Sequence, residues 1–85
     1  MPEDRAEHHV PSPLPGVFYR SPSPGAPPFA EVGDAVTADS TIGLVEIMKQ
    51  FSEVKAGVAG RLTGFAAQDQ GVLDAGDILA TVEPD

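Results

Sequence analysis

The sequence contains no cysteine and no tryptophan, and it has little positive charge. Without cysteine there is no disulfide, no thiolate nucleophile and no Cys-ligated zinc or iron–sulfur site. Lys and Arg number 5 against 13 Asp and Glu, a formal net charge of −8, which argues against nucleic-acid binding because no basic patch can form. No apolar run could span a membrane, and the first nine residues have no signal-peptide core. We therefore expect a cytoplasmic protein with neither nucleic acid nor membrane as a partner.

The sequence is rich in turn residues, with nine glycines and nine prolines among 85 residues. This length suits one small domain, and the turn content favours short strands over helices. Apolar residues make up 41%, too many for a wholly disordered chain. We predict an all-β domain, with strands at 17–20, 29–32, 41–47, 50–55, 58–66 and 78–83 and short pieces near Val36 and Val72.

Two proline-rich segments divide the chain. Residues 1–13 are polar and lack an apolar period, so we predict a flexible N-terminal tether, followed by a domain at 14–85. The second segment lies between apolar runs and has four prolines in eight residues, which cannot occupy a sheet interior. We predict that it is a stiff, protruding loop, formed by Ser21, Pro22, Ser23, Pro24, Gly25, Ala26, Pro27 and Pro28.

A weak internal repeat relates the two halves of the chain. Residues 15–20 resemble 59–65 at an offset of 44 positions, whereas 36–46 resemble 73–83 at an offset of 37. The difference requires an insertion in the first half, which we assign to the loop at 21–28. The repeat predicts two similar half-domains, one with an added projection. The core that joins them should contain Val17, Ile42, Leu44, Leu62, Ile78, Leu79 and Val82.

Residues 44–54 allow two interpretations. Their apolar residues recur at the spacing of an amphipathic helix. However, Val45, Ile47 and Val54 are β-branched, and the repeat partner of residues 36–46 is typical of a strand. We predict a hairpin that turns at Met48 and Lys49, although two-residue turns prefer Asn-Gly or Asp-Gly. Such local rules fail most often where function overrides them.

The same turn carries a family resemblance. Glu46-Ile47-Met48-Lys49 resembles the Glu-x-Met-Lys sequence of biotinyl domains, in which the lysine carries covalent biotin. The resemblance extends over about residues 12–84, and residues 12–25 are similar to the start of the biotin carboxyl carrier branch of acetyl-CoA carboxylases. The loop at 21–28 looks like the thumb of that branch. Met48 favours biotin over lipoate, since lipoyl domains usually have Asp there, whereas Ile47 and Gln50 depart from the commoner residues.

The resemblance implies a fold and a function. The fold is a flattened β-barrel, or barrel-sandwich hybrid, of two antiparallel four-stranded sheets with pseudo-twofold symmetry. A biotin protein ligase would attach biotin to Lys49, with Glu46, Ile47 and Met48 as flanking site residues. The carrier, itself not a catalyst, would then move a carboxyl group from biotin carboxylase to a carboxyltransferase acting on an acyl-CoA. A group that visits two active sites has to project from a rigid scaffold, and a lysine at a hairpin tip does so.

Other interpretations stay open from the residues. The chain could be a lipoyl carrier, or an interaction module in which Lys49 is an unmodified surface lysine. Glu46 could orient the hairpin for a ligase or be a solvated strand residue. His8 and His9 could be metal ligands, but without a third ligand in suitable spacing we expect solvated tail residues and no metal site. No catalytic constellation stands out.

Overall fold

The structure, a computed structural model, describes residues 7–85. These residues form eight strands, and all paired strands are antiparallel. The strands are β1 (His8–Pro11), β2 (Gly16–Tyr19), β3 (Ala35–Val36), β4 (Thr41–Ile47), β5 (Gln50–Lys55), β6 (Gly60–Phe65), β7 (Val72–Leu73) and β8 (Ile78–Pro84). They build two four-stranded sheets with the orders β1-β8-β6-β3 and β5-β4-β2-β7. The predicted all-β fold of two antiparallel sheets is confirmed.

The two sheets are built alike. Each strand of one sheet corresponds to the strand four places further along the chain, with β1 counted after β8. This shift converts the order β5-β4-β2-β7 into β1-β8-β6-β3, as the internal repeat predicts. Even close contacts recur. A Cβ added to Gly16 would collide with the carbonyl oxygen of Glu46, and a Cβ added to Gly60 would collide with that of Glu83. Both positions therefore require glycine, because two backbones approach each other there.

The predicted tether is wrong for the part that the structure describes. Residues 1–6 lie outside the described residues, but β1 pairs along β8, with His8 opposite Val82 and Val10 opposite Ala80. Val10 is 3% exposed and belongs to the core. The prolines misled the prediction because β1 is an edge strand, where Pro11 can sit at an irregularity in the ladder. The folded domain therefore begins before Leu14, the residue at which the sequence predicted its start.

The remaining strands agree with the prediction except for one. The predicted pieces near Val36 and Val72 are β3 and β7, and β4 and β5 have the expected bounds. Residues 29–32, however, are not a strand. The Glu31 N–H donates to the Asp34 carboxylate at 3.0 Å, and the Asp34 N–H donates back to the Glu31 carbonyl at 3.0 Å. This turn consumes the donors that a ladder would need.

The core lies between the sheets and departs from simple alternation. Ile42, Leu62, Leu79 and Val82 are fully buried as predicted, whereas Ile78 is 36% exposed, and Val17 and Leu44 are half-buried. Register irregularities at residues 41–43 of β4 and 78–80 of β8 let two successive residues of each strand face inward. The buried hydrophobic residues that the prediction missed are Val10, Phe18, Ala30, Val36, Val45, Val54, Ala56, Leu73 and Ala80.

Candidate functional site: a strained lysine turn beside a cleft

The hairpin between β4 and β5 turns at Met48 and Lys49, as predicted. Ile47 and Gln50 form the last pair of the ladder, so only two residues make the turn. Met48 has φ 53° and Lys49 has φ 66°, and both angles lie in the left-handed region of a type I′ turn. Non-glycine residues there cost of order 1 kcal/mol each or more, and such strain concentrates at functional sites.

The turn presents Lys49 to solvent. Met48 is 89% exposed, Ile47 is 40% exposed, and Lys49 is also exposed. Within residues 7–85, the Lys49 amine has no hydrogen-bond or ion-pair partner. The second lysine differs, since Lys55 Nζ lies 2.8 Å from Glu53 Oε1 and lowers the pKa of that carboxyl. Lys49 is therefore the lysine whose amine is free to react.

Glu46 supports the turn from below. It is half-buried near the end of β4, and its side chain lies on the outer face of the sheet because Val45 faces the core. Its Oε2 accepts a hydrogen bond from the Lys49 backbone N–H at 3.2 Å, and its Oε1 accepts one from the Tyr19 hydroxyl at 3.2 Å. One carboxylate thus connects the turn to β2.

Two aromatic rings flank this carboxylate on the outer face. Phe51 is paired with Glu46 across β4 and β5 and is 58% exposed. The Tyr19 and Phe51 ring centres are 6.2 Å apart, with the ring planes at 48°. Burial, the hydrogen bond to Glu46 and the charges of Glu46 and Asp69 raise the pKa of Tyr19 above its ordinary value. The face therefore combines apolar surface with a neutral hydroxyl.

The loop at 21–28 leaves the end of β2 beside these rings. Its base is closed by a hydrogen bond from the Phe29 N–H to the Arg20 carbonyl at 2.8 Å, and Gly25 turns it with φ 81°. Between the loop and the sheet lies a cleft of about 450 Å³. The cleft is lined by residues 21–25 of the loop and by Tyr19, Phe51, Asp69 and Gln70.

Five of the twelve predicted site residues line this cleft, and four lining residues were not predicted. Glu46, Ile47, Met48 and Lys49 form the end of β4 and the neighbouring turn. Residues 21–25 line the cleft, whereas Ala26, Pro27 and Pro28 complete the loop without lining it. Phe51 could have been found, because a two-residue turn at 48–49 puts it opposite Glu46. Asp69 and Gln70 lie on the connection between β6 and β7, and no local sequence signal brings them to the loop.

Other site types have no support in residues 7–85. These residues hold no group of three or more His, Cys, Asp or Glu that could bind a metal, and no helix long and apolar enough to cross a membrane. His8 and His9 lie in β1 and not in a tail, with His8 half-buried and His9 exposed. Successive strand residues face opposite sides of a sheet, so the two imidazoles do not converge.

Comparison with known proteins gives the family. The profile of a biotin/lipoyl family described as "Biotin-requiring enzyme" matches residues 8–82. The chain is 38% identical over 82 residues to the biotin carboxyl carrier protein of acetyl-CoA carboxylase of Pyropia yezoensis, covering 95% of this chain and 52% of that protein. It is 55% identical over 51 residues to the protein of the same name in Chlamydia trachomatis, covering 60% of this chain and 31% of that protein. The chain thus spans about half the length of the first relative and about a third of the second.

Solved structures agree. The urea carboxylase of Kluyveromyces lactis superposes on 96% of this chain with a TM-score of 0.76 at 26% identity, which is 6% of that enzyme. A single-chain, multi-domain long-chain acyl-CoA carboxylase superposes on all of it with a TM-score of 0.79. At 19% identity, the second likeness concerns the fold alone. With the matched profile over residues 8–82, the chain belongs to the biotin/lipoyl family of attachment domains.

Proposed function

We propose that this protein is a biotin carboxyl carrier that holds biotin in amide linkage on Lys49. The observation that carries the proposal is the exposed, unpartnered Lys49 amine at the tip of a two-residue turn with two positive φ angles. Asn-Gly would form this turn with less strain, so a function for the lysine accounts for the strained Met48-Lys49 pair. The relatives named as biotin carboxyl carrier proteins support biotin as the attached group.

The attachment step needs an uncharged amine. A biotin protein ligase would supply biotinyl-adenylate, and the Lys49 Nζ lone pair would attack its carbonyl carbon. The C–N amide bond forms as the bond from that carbon to the phosphate oxygen breaks, AMP leaves, and the amine proton passes to the ligase or solvent. In this proposal Glu46 contributes position, because its carboxylate holds the Lys49 backbone N–H while the Nζ stays clear of it.

The cleft fits the ring that Lys49 would carry. Two residues along a strand span about 7 Å, so Phe51, two residues after Lys49, is within reach of an acylated lysine arm. Tyr19 and Phe51 line one side of the cleft and the proline-rich loop lines the other, and the cleft has a volume of about 450 Å³. That lining suits a small bicyclic ring with an apolar body and a polar urea edge. We propose that the loop at 21–28 acts as a thumb over the ring, with residues 21–25 in contact.

The proposed partners follow from the group. Biotin accepts a carboxyl group at biotin carboxylase, which uses ATP and bicarbonate, and gives it up at a carboxyltransferase. The protein binds to each in turn and catalyses neither step. The relatives' names support acetyl-CoA carboxylase as the parent complex. Location in the cytoplasm stays a prediction from the sequence.

Intact mass tests the carrier function. The protein is co-expressed with a biotin protein ligase and, separately, with a lipoyl ligase. Biotin, lipoate and no modification give different mass increments, so the experiment separates the proposed carrier from a lipoyl carrier and from an unmodified module. We expect the biotin increment only, and addition of lipoate alone would overturn the proposal.

The two lysines give a matched control. Trypsin does not cut after an amidated lysine, so modified protein should yield one peptide from Ser21 to Lys55. Lys55→Arg should be modified like the wild type, whereas Lys49→Arg should show no increment. Biotin on Lys55, or full cleavage after Lys49 in ligase-treated protein, would contradict the assignment.

A further inference from the structure

The cleft beside Lys49 has a charge of one sign. Of the residues that line it, all within the described part of the chain, only Asp69 is charged. One oxygen of Asp69 accepts the Arg20 backbone N–H at 2.9 Å, and within residues 7–85 no cation pairs with this carboxylate. A second carboxylate, that of Glu46, is joined to the cleft wall through the Tyr19 hydroxyl.

Arg20 lies between two residues that line the cleft, Tyr19 and Ser21, but its side chain packs on Phe65 and not in the cleft. Arg20 places its Cζ 4.2 Å from the centre of the Phe65 ring, and it is not among the residues that line the cleft. The raised pKa of Tyr19, which lines the cleft, agrees with a negative charge there. The neighbouring charges that help to raise it are those of Glu46 and Asp69, and both are negative. The lining therefore contributes one negative charge, together with neutral hydroxyl and amide groups that can both donate and accept hydrogen bonds.

The ring proposed for this cleft exists in two charge forms. Its urea nitrogens are neutral N–H donors, which the Asp69 carboxylate and the hydroxyl and amide oxygens of the lining can accept. Carboxylation replaces one N–H by an N–carboxylate, so a donor is lost and a negative charge is gained. A negative charge near an uncompensated carboxylate is disfavoured. The two forms should therefore differ in their affinity for the cleft.

We propose that Asp69 makes the cleft selective for the uncharged ring, so that the domain holds the empty biotin against the thumb and releases the carboxylated, anionic form to solvent. This inference rests on the proposed attachment of biotin to Lys49. It assigns Asp69 as a specificity-determining residue on the β6–β7 connection, opposite the thumb. Release of the loaded form favours its capture by the next enzyme.

Amide NMR of the biotinylated domain tests the inference. The reporters are the backbone amides of Ser21, Ser23, Gly25 and Gln70, which line the cleft and are not prolines. Biotinylation should shift these signals from their positions in the unmodified protein. Carboxylation of the bound biotin with biotin carboxylase, ATP and bicarbonate should then return them toward the unmodified positions.

Asp69→Asn isolates the charge. Asparagine keeps an oxygen that can accept the Arg20 N–H but removes the negative charge. We expect the ratio of docked to free carboxylated ring to rise roughly threefold, as for deleting one unit charge about 6 Å away in water. Asp39→Asn, an exposed turn residue away from the cleft, makes the same change in net charge and should leave this ratio unaltered.

Each outcome decides the matter. If the carboxylated ring leaves the wild-type and Asp69→Asn clefts equally, Asp69 is not the cause. If an uncharged N-methoxycarbonyl biotin on Lys49 also leaves, size and not charge explains the release. If biotinylation shifts none of the reporters, the cleft does not hold the ring, and the inference fails even where intact mass confirms biotin on Lys49. Absence of the mass increment would instead contradict the carrier function itself.

Discussion

The Tyr19 hydroxyl donates a hydrogen bond to Glu46 Oε1 over 3.2 Å, across the two strands that lead to the cleft and to the lysine turn. The other oxygen of Glu46 holds the Lys49 N–H. Any change that weakens the Glu46 carboxylate as an acceptor should therefore be felt at both Tyr19 and Lys49.

Absorbance titration can follow this contact directly, because the chain has one tyrosine and no tryptophan. We expect Tyr19 to ionise above its ordinary value near 10, since burial and the Glu46 hydrogen bond favour the neutral phenol. Stability contributed by the neutral phenol is present below the pKa of the unfolded chain and is lost as the pH rises through the folded-state pKa. Glu46→Gln should move the titration back toward 10, and an unchanged midpoint would mean that Glu46 does not act on Tyr19.

Modification rate tests the support that Glu46 gives to the turn. Glu46→Ala removes the acceptor of the Lys49 N–H, so the turn should sample other conformations and the rate of biotinylation should fall, by about tenfold if roughly 1.4 kcal/mol of positioning is lost. Glu53→Ala is the matched control on the same face, since Glu53 bonds Lys55 and Thr41 and not the turn. Equal rates for both variants would reduce Glu46 to a solvated strand residue.

Neighbouring residues of β8 should differ sharply in their importance for stability. Leu79 is fully buried and Ile78 is 36% exposed. Leu79→Ala should lower the free energy of unfolding by about 2–5 kcal/mol, and Ile78→Ala by roughly 1 kcal/mol. Urea titration measures both, and similar losses would show that the irregularity in β8 does not set burial as described.

The thumb loop should be dispensable for folding. No residue from 21 to 28 is buried in the core, and the bond from Phe29 to Arg20 closes the loop at its base. Deletion of residues 22–27 should leave a well-dispersed amide spectrum but abolish the shift of Gln70 that biotinylation is expected to produce. A collapsed spectrum would show that the loop stabilises the domain.

The sequence sufficed for the parts of this molecule that depend on local pattern. Strand-forming residues, turn residues and the internal repeat predicted most of the strands and the turn at Met48 and Lys49, because they outweighed the helical spacing of residues 44–54. The arrangement in two four-stranded sheets was predicted from the family resemblance. Strand β1 was missed because its polar residues and proline resemble a flexible tail, and a strand with proline is tolerated only at a sheet edge. Ile78 was misassigned because the irregular register of β8 is a tertiary effect, and Asp69 reached the cleft through a connection whose path no local rule encodes.

The way β5 leads away from Lys49 has a mechanical consequence. Five residues after β5 ends at Lys55, β6 begins at Gly60, which pairs with Pro84 at the end of β8. The start of β1 lies beside the same end, since His8 pairs with Val82. The start of β1 and the end of β8 therefore lie at the pole opposite the lysine turn, so a group on Lys49 is separated from both by the length of the strands.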